Sequence, residues 1–354
     1  MSGGVDSSVA AALLAQQGHE VIGLSMQLYD QREGQVRFGT CCTIDDLHDA
    51  RRVAARIGIP HYIVNFEREF SEQVISNFVR EYASGRTPIP CVHCNGDLKF
   101  ATLAARAGAL DARYVATGHY ARVEHDTATG QYRLLRGRDP AKDQSYFLFT
   151  LDQAQLAHAM FPVGGMDKAA VREHARELGL SVSDKRDSHE ICFVPDGDHA
   201  AFLERQGAHI PGGTIRSLGG AVVGRHDGVH HFTVGQRKGL GLSAPMRLYV
   251  VGIDAAAQTV TVGPREALER HALDASTVNW IAGAPPPPGT RVTAQIRHRH
   301  LEAHATVYPG ADATVHVTFD EPQHAVAPGQ AVVFYDGAVV LGGGWIRESA
   351  VEGR

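Results

Sequence analysis

The sequence contains no long hydrophobic run and few cysteines. Both features exclude classes of protein that this chain could otherwise belong to. No stretch of about 18 consecutive apolar residues occurs, so no transmembrane helix is expected. The first residues lack the basic-then-apolar pattern of a secretory signal. Only five cysteines occur among 354 residues, and an odd number argues for thiol chemistry or metal binding rather than a disulfide framework. We therefore expect a cytoplasmic protein.

Charge is also sparse. Charged residues make up 21% of the chain and the formal net charge is −5. This net charge gives no indication of nucleic-acid binding, although an enzyme that acts on RNA needs only a local basic face. The apolar content of 44% is that of a globular protein. A chain of 354 residues is too long for one ordinary core, so two or three domains are expected.

The chain is organised around residues 2–8, whose sequence is Ser-Gly-Gly-Val-Asp-Ser-Ser and which lead into an apolar helix. Glycines let the backbone approach an anion, and the N–H groups at the start of the helix point at it. Asp6 is expected to hold a magnesium ion or to cap the helix. No Gly-Lys-Ser/Thr follows, so the turn has no lysine of its own to reach a β- or γ-phosphate.

This stretch resembles the pyrophosphate loop of N-type ATP pyrophosphatases, which cut ATP between the α- and β-phosphates. The alternative interpretation of residues 2–8 is an ordinary glycine-rich turn that is capped by serine and aspartate side chains. A phosphate loop of this kind should follow a buried strand, whereas this sequence begins at Met1, inside the loop. We therefore expect the reading frame to start upstream. If it does not, a central strand is missing.

Helices and strands alternate through the first part of the chain, which predicts an α/β domain with a doubly wound parallel sheet and ligands at the carboxyl ends of its strands. We expect strands at 20–26, 61–65 and 114–118. We expect helices at 9–17, 45–57, 70–84, 97–107 and 169–179.

Two small β-rich domains are predicted to follow this domain. We expect strands in the central domain at 221–224, 229–234, 248–253 and 259–262. In the last domain, a small β-barrel, they are expected at 292–296, 305–308, 314–319, 331–335 and 338–342. The predicted domains are 1–200, 201–274 and 275–354.

Two cysteines are candidate reactive groups. Cys94 is expected next to the start of a helix, which lowers a thiol pKa. With Cys91 it forms a lone C-x-x-C, so a redox pair or half a zinc site stays open, and adjacent Cys41 and Cys42 would be further ligands. Cys192 has apolar neighbours, which alone would indicate a buried, inert thiol. Together with an ATP pyrophosphatase loop, the two distant cysteines suggest activation of an oxygen by adenylation and its displacement by sulfur.

Histidines and basic residues offer further candidate sites. The chain has 20 histidines, among them His230 and His231, but no carboxylate–histidine spacing supports a metal site, so we predict none. The basic segments 133–142 and 291–299 are expected to contact phosphates or, alternatively, to be solvated charged faces.

Seven motifs in order make the chain resemble the bacterial tRNA-specific 2-thiouridylase family over nearly its whole length. Besides residues 2–8 they are Cys-Asn-Gly-Asp-Leu-Lys-Phe at 94–100, Ala-Thr-Gly-His-Tyr at 116–120, Lys-Asp-Gln-Ser-Tyr-Phe-Leu at 142–148, residues 187–194, Gly-Gln-Arg-Lys-Gly-Leu-Gly at 235–241 and the glycines 342–344.

The resemblance implies a role for individual residues. Cys94 is the catalytic nucleophile, and Cys192 carries sulfur as a persulfide and forms a transient disulfide with Cys94. The ATP-binding residues are Met1, Ser2, Gly3, Gly4, Val5, Asp6, Ser7, Met26 and Gly118. The tRNA contacts are Ile89, Pro90, Cys91, His119, Lys142, Asp143, Gln144, Arg297, His298 and Gln330. Three of these positions depart from the common family pattern, since Ile89, Cys91 and His298 stand where many relatives have asparagine, aspartate and tyrosine.

The resemblance also implies the reaction. The uridine at the tRNA wobble position is flipped out, its C2 oxygen is adenylated by Mg-ATP, and sulfur enters at C2 while AMP leaves. The implied partners are the glutamate, glutamine and lysine tRNAs and a sulfur-relay protein or cysteine desulfurase. Alternatives are an iron–sulfur cluster in place of the persulfide, a 4-thiouridine synthetase or amidotransferase-type adenylating enzyme, and a non-catalytic tRNA-binding protein.

Overall fold

The computed structural model describes residues 1–28, 43–187, 191–194 and 197–347. The predicted α/β architecture followed by two β-rich units is confirmed. None of the helices in these ranges is both long enough and apolar enough to cross a membrane.

The α/β region begins with helices and short parallel strands. Its helices are α1 (Val5–Gln16), α2 (Ile44–Ile57), α3 (Glu67–Phe70), α4 (Ser76–Ala83), α5 (Pro90–His93), α6 (Leu103–Gly108), α7 (Gln153–Ala157) and α8 (Lys168–Glu177). Its strands are β1 (Gly23–Gln27), β2 (His61–Asn65), β3 (Val115–Ala116), β4 (Ala121–Asp126), β5 (Gln131–Arg136) and β6 (Ala159–Met160). Among the described residues the parallel strands pair as β1 with β2 and β3 with β6.

The first residue lies beside β1, because the Met1 amino group donates a hydrogen bond to the Leu24 carbonyl and the Ser25 hydroxyl donates to the Met1 carbonyl at 2.6 Å. A strand that leads into the glycine turn stays a prediction.

The helix that carries Cys94 begins earlier than expected. Residues 90–108 are helical throughout, with Pro90 in the first turn and a π-helical segment, Cys94–Thr102, between α5 and α6. The prediction that this helix starts at residue 97 is wrong, because Pro90 fixes a helical φ and needs no N–H partner in the first turn. Cys94 thus lies one turn inside the helix, where the effect of the helix dipole is weaker.

The central unit is a four-stranded sheet preceded by a short helix, α9 (His199–Arg205). Its strands are β7 (Gly213–Ser217), β8 (Val222–His226), β9 (Tyr249–Asp254) and β10 (Thr259–Gly263), in the order β8-β7-β10-β9. The predicted strand at 229–234 is wrong, because residues Val229–His231 form a 3-10 helix instead.

The last unit is a barrel. Its strands are β11 (Glu269–Trp280), β12 (Thr290–Gln295), β13 (Ala303–Pro309), β14 (Val315–His324), β15 (Ala331–Asp336) and β16 (Val339–Ile346). They run in the order β11-β14-β13-β12-β15-β16, and pairing of β11 with β16 closes the ring. The β4–β5 hairpin of the α/β region pairs with the start of β16, Leu135 with Val339. The predicted boundary at 275 falls inside β11, and the division into three domains stays a proposal.

Candidate active site

The glycine turn leaves the start of α1 open to a ligand. Gly3 has a φ of +70°, and a Cβ atom there would lie 2.3 Å from the Asp46 carbonyl oxygen, so no side chain fits. Gly4 is the N-cap residue and makes no side-chain cap. A Cβ atom on Gly118 would lie 2.5 Å from the Ser7 backbone nitrogen, so this glycine allows the chain to pass directly over the turn. The amide groups and dipole of a 12-residue helix therefore form a place for an anion.

Asp6, in the first turn of α1, is held by two side chains. The Tyr120 hydroxyl donates to Oδ1 at 2.7 Å, and Lys168 Nζ donates to both carboxylate oxygens at 2.8 and 2.9 Å. Burial, and next the Asp6 charge, raise the pKa of Tyr120 far above its usual range, which keeps it a hydrogen-bond donor.

A second lysine reaches the turn itself. Lys185 Nζ donates to the Gly3 carbonyl at 3.0 Å and to the carboxylates of Asp46 and Asp49, each at 2.6 Å. Burial lowers the pKa of Lys185, but the two carboxylates outweigh burial and raise it overall. Positive charge next to the turn therefore comes from far along the chain, although no lysine follows the turn in sequence.

Asp187 connects Lys168 to Lys142, a predicted tRNA contact. Its carboxylate accepts hydrogen bonds from Lys142 at 2.7 Å and from Arg172 at 3.3 Å, and it pairs with Lys168 at 2.8 Å. Burial raises the pKa of Asp187, but the bonds from Lys142 and Lys168 outweigh it and bring the pKa to about 2. An ionised carboxylate thus fixes three cations beside the turn.

Cys94 and Cys192 pack against the same apolar cluster, which includes Phe70, Val74 and Leu98. Both thiols are half-buried and line one cavity, so the structure brings together two cysteines that are far apart in sequence. Cys41 and Cys42 lie outside the described residues, as do residues 188–190 of the motif before Cys192.

The π-helical segment presents polar side chains as well as Cys94 to this cavity. Lys99 Nζ donates to Asn95 Oδ1 at 2.9 Å, and both side chains line the cavity. His119 lies nearby, with Nδ1 2.7 Å from the Thr117 hydroxyl oxygen. Burial, and next the charge of Lys99, hold the pKa of His119 well below its usual range, so its ring is neutral near pH 7. Asn95, Lys99 and His119 therefore present polar groups to the same cavity as the Cys94 thiol.

The residues that the sequence analysis assigned to ATP and to catalysis surround one cavity of about 1480 Å³. Both cysteines and every ATP residue except Gly3 line it, and so do seven of the ten predicted tRNA contacts. Those seven are Pro90, Cys91, His119, Lys142, Asp143, Gln144 and His298.

Three predicted tRNA contacts do not line the cavity. Ile89 is buried, Arg297 donates to the His324 carbonyl at 3.1 Å, and Gln330 Nε2 donates to the Thr87 carbonyl at 2.9 Å. In the described structure Arg297 and Gln330 thus fasten parts of the chain to one another, and their contact with tRNA stays a prediction.

Two of the seven lining residues also stabilise the fold directly. Asp143 Oδ1 accepts from the Gly137 and Ser145 amides at 2.9 and 3.1 Å, and Oδ2 accepts from Arg136 at 3.1 Å. Gln144 Oε1 accepts from the Tyr120 amide at 3.1 Å. Sequence reasoning did not find the roles of Lys168, Lys185 and Tyr120, because no local motif encodes contacts between distant segments.

Three family models match the chain in sequence. Residues 1–196 match the tRNA methyl transferase HUP domain, residues 200–264 the tRNA methyl transferase PRC-barrel domain, and residues 270–346 the Aminomethyltransferase beta-barrel domain. The names of these three family models refer to transferases, whereas relatives that match over nearly their full length have a more specific name.

Those relatives are named tRNA-specific 2-thiouridylase MnmA. The protein of Geotalea uraniireducens is 55% identical, over 99% of this chain and 94% of its own length. The protein of Geobacter metallireducens is 53% identical (100% and 97%), and that of Solibacter usitatus is 51% identical (98% of each). The predicted family is confirmed: the chain belongs to the tRNA-specific 2-thiouridylase MnmA family of enzymes.

Proposed function

We propose that the chain catalyses ATP-dependent 2-thiolation of uridine at wobble position 34 of tRNA. The observation that supports this most directly is the single cavity that holds the glycine turn, Cys94 and Cys192. A site that only bound tRNA would need neither an anion-binding helix terminus nor two thiols beside it.

ATP is a substrate of this reaction, and the turn suits its phosphates. The open N-terminus of α1 offers amide donors, while Lys168 and Lys185 bring positive charge from the side. The C2 oxygen of uridine attacks the α-phosphorus, pyrophosphate leaves, and the oxygen becomes part of a good leaving group. Binding at this helix terminus aligns the phosphates for that displacement.

Asp6 suits a magnesium ion, because a carboxylate that lines the cavity is a ligand that this ion prefers. Magnesium would replace Lys168 as the partner of Asp6, and it would supply charge neutralisation to the departing pyrophosphate.

Sulfur transfer follows in a second step that the two cysteines share. Cys192 carries a persulfide, received from a sulfur-relay protein or a cysteine desulfurase, and its terminal sulfur attacks C2 while AMP leaves with the former C2 oxygen. The Cys94 thiolate then attacks Cys192 Sγ, the sulfur–sulfur bond breaks, and 2-thiouridine and a Cys94–Cys192 disulfide result. A thiol reductant resets the disulfide.

We propose that tRNA enters over the rim formed by the α/β region and the barrel. Lys142 and His298 line the cavity from these two regions, and His298 packs against Phe147 with ring centroids 4.4 Å apart. An extruded base can stack on such rings. The ten predicted tRNA contacts, the glutamate, glutamine and lysine tRNAs, and a cytoplasmic location belong to this proposal.

The test is a thiolation assay with unmodified glutamate tRNA, Mg-ATP and a persulfide donor, followed by mass spectrometry of chromatographically separated nucleosides. We expect 2-thiouridine from the parent and at least a 1000-fold loss in Cys94→Ala and in Cys192→Ala, since each removes a reacting sulfur atom. The matched control substrate is the same tRNA with cytidine at position 34, which should stay unmodified. Appearance of 4-thiouridine, or activity that survives either substitution, contradicts the proposal.

A further inference from the structure

Three potential metal ligands meet at the start of the central unit, away from the cavity. Glu204 is on α9, and His230 and His231 are on the 3-10 helix that follows β8. One carboxylate oxygen and one nitrogen from each ring lie within 4.8 Å of one another. The sequence analysis predicted no metal here because the glutamate lies too far along the chain to form a motif with the histidines.

His230 is a buried side chain whose polar atoms have no partner in the described part of the chain. It exposes 6% of its surface, and neither Nδ1 nor Nε2 makes a hydrogen bond. Buried polar atoms in native proteins are nearly always paired, so two orphaned ring nitrogens at one position need an explanation. A metal ion bound to one of them would give that nitrogen a partner.

The backbone beside this ring is shaped to accommodate it. A Cβ atom on Gly228 would lie 2.3 Å from His230 Cε1 and 2.4 Å from Nδ1. Any larger residue at 228 would therefore displace the imidazole. Gly228 thus leaves room for the buried ring, while Glu204 and His231 are exposed side chains that can adjust to a ligand.

Two imidazoles and one carboxylate are the donor set of zinc sites with three protein ligands, in which water takes the fourth position. Zinc binds such atoms at about 2.0–2.1 Å, which requires the ligand atoms to approach to about 3.3 Å in a tetrahedral arrangement. Rotation of the two exposed side chains closes that difference.

We propose that Glu204, His230 and His231 form a zinc site that fastens α9 to the 3-10 helix that follows β8. α9 also buries Phe202 and Leu203 in a cluster with Phe78 and Tyr82 of the α/β region. The zinc ion therefore ties the central unit to the helix that links it to the catalytic region. The proposal does not depend on the thiolation reaction.

The test is a zinc titration of the full chain after removal of metals with a chelator, read with a competing fluorescent indicator. We expect one zinc ion per parent chain at this site and at least tenfold weaker binding in His231→Ala and in Glu204→Gln. Zinc should also raise the melting temperature of the parent more than that of either variant, because the ion binds only the folded chain. Both substitutions change exposed side chains, so neither is expected to prevent folding.

Matched controls are His271→Ala and Glu266→Gln, which change exposed residues outside the cluster and should bind zinc like the parent. Cobalt(II) separates this site from zinc held by cysteines, because thiolate ligands add a strong near-ultraviolet absorption that nitrogen and oxygen ligands lack. Equal zinc affinity in the parent, His231→Ala and Glu204→Gln overturns the proposal, as does a cobalt spectrum with thiolate absorption alone.

Discussion

The C-terminal barrel and the N-terminal α/β region differ in how their strands are paired by hydrogen bonds. Each of the six barrel strands has a partner on both sides because β11 pairs with both β14 and β16, and the interior is filled by buried apolar side chains. In the α/β region the described parallel strands form two pairs, and the cavity of about 1480 Å³ reaches β1 and β3 alike. A closed ring of strands favours a rigid barrel. The α/β region instead leaves space for a ligand and supplies charged groups for catalysis.

The barrel and the α/β region nevertheless contact each other directly. Arg136, at the end of β5, lies over the Tyr335 ring with its guanidinium carbon 3.5 Å from the centroid, and it pairs with Glu302 at 2.6 Å. Gln295 and His298 of the barrel line the cavity. The barrel therefore supplies part of the wall of the site, which explains why a rigid unit is attached to a catalytic one.

The largest effect is expected from Phe334→Ala, which tests the rigidity of the barrel. The Phe334 side chain is fully buried and stacks on Trp280 with centroids 5.5 Å apart. We expect a loss of about 3–5 kcal/mol in the free energy of unfolding, measured by denaturant titration, because the cavity left behind cannot collapse in a closed ring of strands.

Tyr308→Ala is the matched control for this substitution. It removes an aromatic ring that is 43% exposed on β13 and should cost less than about 1 kcal/mol. A loss of the same size in both variants would mean that the barrel interior does not hold the barrel together.

A smaller effect is expected at Asp187, in the charged network of the α/β region. Its pKa is about 2 in the folded chain, against 3.8 for an unperturbed carboxyl group. Because the folded pKa is the lower one, Asp187 stabilises the fold fully above about pH 4 and loses this contribution, about 1–2 kcal/mol after solvent screening, as the pH falls towards 2.

Asp187→Asn should therefore remove that part of the pH dependence. Between about pH 5 and pH 3, urea unfolding should show a steeper loss of stability in the parent than in Asp187→Asn. Asp336→Asn, which changes an exposed carboxylate of the barrel, should follow the parent. Parallel pH profiles for the parent and Asp187→Asn would show that the ion pairs do not stabilise the folded state.

The sequence predicted five of the six barrel strands but not β11, which closes the ring. Strands such as β15 and β16 are short apolar segments whose pattern is local, and β2 was predicted with its bounds at 61–65. Residues 229–234 were predicted as a strand, whereas Val229–His231 form a 3-10 helix, and the early start of the helix at Pro90 was missed. The first error concerns a short strand and the second a helix boundary, and tertiary packing decides the conformation in both cases.

The sequence motifs predicted which segments line the cavity, but they did not predict the contacts between distant residues beside it. The motifs identified the glycine turn and both cysteines, whereas Lys168 reaches Asp6 across 162 residues and Lys185 reaches Gly3 across 182. Such pairs exist only once the chain has folded, so no spacing in the sequence encodes them.

The most direct test of the central claim, that one cavity activates the base and transfers sulfur, is a single turnover without reductant. The chain is first loaded with sulfur at Cys192 and then mixed with Mg-ATP and glutamate tRNA, and the 2-thiouridine and cysteine-containing peptides are quantified by mass spectrometry. The account predicts a peptide pair joined by a Cys94–Cys192 disulfide in the same molar amount as 2-thiouridine. Formation of 2-thiouridine while Cys94 keeps its thiol would contradict it.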